Sequence, residues 1–85
     1  MKALQAYIDQ KNRWNKLFNG TQYDLSTAQG RQRVANSLDA DLSPENLTCD
    51  GELPRSQVQA RYRQLSQAAK ELRQLDPTVK FYEFA

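Results

Sequence analysis

The stretch PRSQVQARYRQLSQAAKELRQL, residues 54–75, holds no glycine, and its only proline is the first residue, a position a helix tolerates. Val58, Tyr62, Leu65, Ala69 and Leu72 follow one another at intervals of 4, 3, 4 and 3, which sets them along one side of a helix as a bundle seam. Helix is therefore expected from about residue 54 to 75. Asp76-Pro77 closes it, because proline pushes the residue before it out of the helical region. A seam of this length must be covered by other elements, and the rest of the chain supplies candidates.

Residues 2–18 contain neither glycine nor proline and place Leu4, Tyr7, Ile8, Lys11, Trp14, Leu17 and Phe18 on one helical face. Lys11 interrupts that stripe, but its methylene stem can lie along apolar surface while the ammonium reaches water. Trp14 and Phe18 are expected in the core. Asn19-Gly20 is the stop signal, with glycine the residue suited to a left-handed closing conformation.

Ser26 with Gln29 three residues on reads as a capping box, and Ala28, Val34, Ala35 and Leu38 follow at near-helical spacing. A second helix is expected over about 27–39, weakened by Gly30 and Asn36. Ser43-Pro44-Glu45 starts one further turn, and Asp50-Gly51 is a turn signal. Residues 39–52 make an acidic loop before the last helix. The tail, 77–85, carries Phe81, Tyr82 and Phe84 among strand-forming residues.

The expected architecture is all-α: a small three-helix domain with helices at about 2–18, 27–39 and 54–75. The first and last form an antiparallel pair, and a short extended aromatic C-terminal tail follows. A length of 85 residues suits one domain with a modest core. No run approaches the ~20 apolar residues of a membrane span, and residues 1–10 lack the apolar stretch of a signal peptide. A soluble, cytoplasmic protein is the expectation, with no membrane contact.

Composition argues against catalysis, because without histidine neither the Ser-His nor the Cys-His arrangement can be assembled. The single cysteine, Cys49, precedes Asp50, which opposes thiolate formation; it is expected as a small, partly buried side chain beside a turn. Gly20, Gly30 and Gly51 stand too far apart to cradle phosphate. Asp39-x-Asp41-x-Ser43 with Asp50 echoes a calcium loop, but Pro44 occupies the place of the turn glycine. No metal, no cofactor and no enzymatic activity are expected.

Charge is arranged in blocks. Residues 1–33 hold six basic and two acidic groups, 34–54 none and five, 55–73 five and one. Arg63 and Lys70 lie seven apart and share a stripe away from the seam, flanked by Arg61 and Arg73, so this helix could track phosphates. The dilution of that face by Gln57, Gln64, Gln67, Gln74 and Glu71 speaks for a solvated surface instead. Helix-turn-helix geometry is disfavoured by the length of 40–53, well beyond the usual three- or four-residue turn.

Exposed aromatics beside arginines are the residue types of protein–protein hot spots. The leading expectation is a small protein-binding module, an adaptor or inhibitor such as a bacterium or mobile element carries as an accessory. Its partner-binding residues are expected to be Arg61, Arg63, Lys70, Arg73, Tyr82 and Phe84. The alternatives are a nucleic-acid-binding regulator using the basic face of the last helix and a structural homodimer formed through its seam.

Overall fold

Four helices occupy residues 2–82, the part of the chain that the computed structural model describes: α1 (Lys2–Leu17), α2 (Ala28–Asp41), the single turn α3 (Pro44–Leu47) and α4 (Arg55–Leu75). Among the described residues there is no strand, so the all-α class stands. The long seam helix packs against each of the other three. Leu4, at the start of α1, meets Glu71 near the end of α4, while Trp14 shares a cleft with Arg61 near its start; α1 and α4 therefore run antiparallel.

The core is built from Leu4, Tyr7 and Ile8 of α1, Val34, Ala35, Leu38 and Leu42 on or just after α2, and Leu65, Ala68, Ala69 and Leu72 of α4, with Val79 beyond it. Leu4, Val34, Leu38 and Leu72 are almost wholly removed from water, each worth roughly 1.5–3 kcal/mol by transfer. All the core residues of α1 come from its first half and all those of α4 from its second. Trp14 and Phe18, expected in the core, are instead exposed, and Tyr62 of the seam is half exposed. The seam has the right period, but its first part is only partly covered: Val58 is half-buried and Tyr62 half exposed.

Several caps differ from their sequence signals. At the end of α1, Asn19 and not Gly20 takes the left-handed conformation (φ 55°). Gly20 N–H then donates to Asn15 O at 2.7 Å and Asn19 N–H to Lys16 O at 3.4 Å, a Schellman closure. Thr27, not Ser26, caps α2 by accepting from Gly30 N–H; Ser26 is held one residue outside by Asp24. Gly30 is required where the sequence shows only a weak helix position, because a Cβ there would collide with the Asp24 carbonyl oxygen. Cys49 is exposed rather than partly buried, with φ 50° at the head of a left-handed run through Asp50 and Gly51.

The start of α1 draws on the last helix. Glu71, expected on the solvated face of the last helix, is buried and supplies a cap: its Oε1 accepts from Leu4 N–H at 3.0 Å. That bond, with a second from Gln67, holds the Glu71 carboxyl below its ordinary range despite burial. Asp76 does similar work five residues on, at the C-cap of α4, where it accepts from the Thr78 hydroxyl and amide and from Arg31 Nε at 2.7 Å. Those partners lower its carboxyl to about 2.

Two side-chain amides pin the non-helical segments. Asn12 exchanges hydrogen bonds with both backbone groups of Tyr23, and Gln32 does the same with Lys80, so each amide stands in for a neighbouring strand. The tail thus leaves α4 at Asp76 and returns over α2, burying Val79 and resting Phe81 against the core. Phe84 lies outside the described residues. Among those described, no helix is long and apolar enough to cross a membrane.

Candidate functional site

An open cleft of about 680 Å³ runs along α1 from Lys2 to Leu17 and is bounded by Arg61, Gln64 and Leu65 of α4 and by Asp41 of α2. Its apolar lining comes from Ala3, Ala6, Trp14 and Leu17 of α1 and Leu65 of α4. Trp14 is 62% exposed, Leu17 72% and Phe18 69%, large apolar side chains that folding has left in water. Trp14 and Phe18, one helical turn apart, meet edge to face with ring centroids 5.3 Å apart. Tyr62 of α4 is half exposed as well, but it lines a separate groove.

The rim is basic. Lys2, Lys11, Arg13 and Arg61 line the cleft against one acid, Asp41. That acid is already engaged, by Lys11 Nζ at 3.0 Å and by the Tyr7 hydroxyl at 2.7 Å. The Tyr7 hydroxyl also shares a 2.6 Å hydrogen bond with Ser37, and burial pushes its ionisation well above the ordinary tyrosine value. Tyr7 is thus a neutral structural strut between α1 and α2, not an acid–base group at neutral pH. Arg61 has its Nε shielded from water without an acceptor, and among the described residues neither it nor Arg13 has an acidic partner.

The six residues expected to bind a partner do not form one site. Arg61 lies in the cleft. Arg63 and Lys70 do come together, along a shallower groove with Val58, Tyr62 and Ser66, as their seven-residue spacing requires. Arg73 stands over the Phe81 ring, its guanidinium carbon 5.0 Å from the centroid, and so helps hold the tail down. Tyr82 projects an exposed ring at the far end, where its backbone N–H donates to Asp39 Oδ2 at 2.7 Å.

The acidic stretch is likewise put to structural use. Asp39 is buried and Asp41 half-buried, both on α2 and not in a solvated loop. Among the described residues no three histidine, cysteine, aspartate or glutamate side chains gather in a metal-binding group.

Sequence reasoning missed Trp14, Leu17, Phe18 and Arg13 as surface residues. A signal was present: in 55–64 the last helix carries only Val58, Ala60 and Tyr62 as apolar residues, against Leu65, Ala68, Ala69, Leu72 and Leu75 in 65–75. The first half of α4 offers too little apolar surface to bury the aromatic half of α1. Compared with known protein families, curated proteins and solved structures, the chain shows no significant match to any.

Proposed function

We propose that this chain is a non-enzymatic protein-binding module, an adaptor or inhibitor that acts by occupying a surface of another protein with the open end of the α1–α4 pair. One observation carries this reading: Trp14, Leu17 and Phe18, the kind of large apolar residues a core normally absorbs, stand together in solvent beside unpaired arginines. The carboxyls whose ionisation is displaced, Asp24, Glu71 and Asp76, are tied up in turns and caps and line no part of the cleft. Nothing in that arrangement calls for a chemical step.

The test is capture from native cell lysate on the immobilised protein, with and without nuclease. A nuclease-resistant, stoichiometric protein band is expected, and it should be lost in the triple variant W14A/L17A/F18A. A second reading, nucleic-acid binding, draws on the groove that Arg63 and Lys70 share. It gains if recovery vanishes with nuclease and if Arg63→Glu with Lys70→Glu abolishes it while the cleft variant does not.

A further inference from the structure

We infer that the element of the partner that fills the α1–α4 cleft is an acidic amphipathic helix; this deepens the protein-binding reading and rests on it. The shape comes first. The apolar lining follows α1 from Ala3 to Leu17, and α4 closes it over one turn, at Arg61, Gln64 and Leu65. Fourteen residue steps along a helix span about 21 Å, the length of three to four turns. A trough along one helix, with the small Ala3 and Ala6 and the bulky Trp14 and Leu17 in its lining, accepts a further helix through apolar anchors at i, i+3, i+4 and i+7.

Charge then selects among helices. Among the described residues Lys2, Arg13 and Arg61 line the cleft without an acidic partner, and Asp41 is already held by Lys11 and Tyr7. A second copy docked by this same face would set these cations against their own duplicates, which disfavours a homodimer here. A nucleic acid would satisfy the charge, but Trp14 is the one exposed aromatic ring in the cleft lining, where a run of stacked bases needs several. Glutamates or aspartates flanking a leucine-type stripe satisfy both requirements, with Arg61 offering a fork of donors to a carboxylate.

The protein reports on its own cleft, because Trp14 is its only tryptophan. Three probes are titrated against it by fluorescence: two 18-residue peptides with the same leucine stripe and either a glutamate or a lysine polar face, both free of Trp and Tyr, and single-stranded oligothymidine. The glutamate peptide is expected to shift Trp14 emission to shorter wavelength and to bind at least about tenfold tighter than the lysine peptide, with affinity falling as salt rises. Arg13→Glu with Arg61→Glu should reverse the preference. Arg13→Glu alone, at an exposed position, should weaken glutamate-peptide binding with unchanged circular dichroism, which guards against misfolding of the double variant.

Equal binding of the two peptides overturns the acidic character yet keeps a helix-binding groove. A response to oligothymidine stronger than to either peptide overturns the partner class. If no probe binds, the inference falls. The protein-binding reading falls with it only if lysate capture also proves insensitive to Trp14, Leu17 and Phe18.

Discussion

At one end of the α1–α4 pair Leu4, Tyr7 and Ile8 meet Leu65, Ala68 and Leu72 beneath α2; at the other, Trp14, Leu17, Phe18 and Tyr62 extend the same helical periodicity into water. The two ends are made by the same two helices. What separates them is cover. The 21 residues of α4 span about 31 Å and the 14 of α2 about 21 Å, two-thirds of that length, and the core that α2 helps to close takes in α4 only from Leu65 onward. Helical period sets which face is apolar, and a third element must supply the burial.

The polar groups follow the same division. Glu71 caps α1 and Asp76 ties α4 to Arg31, both at the covered end. At the open end the cations Arg13 and Arg61 have no acid among the described residues. The carboxylates of the covered end are tied into the fold, while the other end presents apolar side chains and cations to solvent.

The largest expected effect breaks the covered end. Leu72→Ala removes a wholly buried side chain from the centre of the core and should cost about 2–5 kcal/mol in urea unfolding followed by circular dichroism. A cost below about 1 kcal/mol would mean that the covered end is not the structural core.

Acid should act on the same end with a smaller effect. The carboxyls of Glu71 and Asp76 lie below their ordinary values in the folded chain, Asp76 at about 2, so the unfolded chain takes up protons first as pH falls. Their contribution is complete above the ordinary carboxylate range near about 4 and is lost on the way down to the folded values. The urea midpoint should stay level from neutral pH to about 5 and decline below about 4. Asp76→Asn should lower the midpoint at neutral pH and flatten its acid dependence.

The helical class, the three long helices and the antiparallel pairing were legible because they follow from spacing and punctuation in residues 2–18, 27–39 and 54–75. Caps were less so. Ser26 and Thr27 are both good cap residues, and the choice fell to Thr27 because Asp24 engages the Ser26 hydroxyl and amide. Glu71 reads as a surface charge until the start of α1 is laid against it across 67 residues of chain.

The site was legible only at Arg61, which stands one turn before the seam residue Leu65 and so shares its side of α4 in the cleft. Trp14 and Phe18 were assigned to the core because size and period alone make them core residues. Whether an aromatic stripe is roofed depends on the length of a third helix, a property of the assembled molecule and not of the stripe.

The most direct test of the division is the urea midpoint of the triple variant W14A/L17A/F18A against the unaltered chain, read by circular dichroism at 222 nm, a far-ultraviolet helix band of the kind retained with secondary structure. If the open end is a surface held for a partner, removing three large apolar side chains should change stability by no more than about 0.5 kcal/mol. A loss of several kcal/mol, on the order of that expected for buried aromatic and leucine side chains, would place these residues in the core and contradict the account.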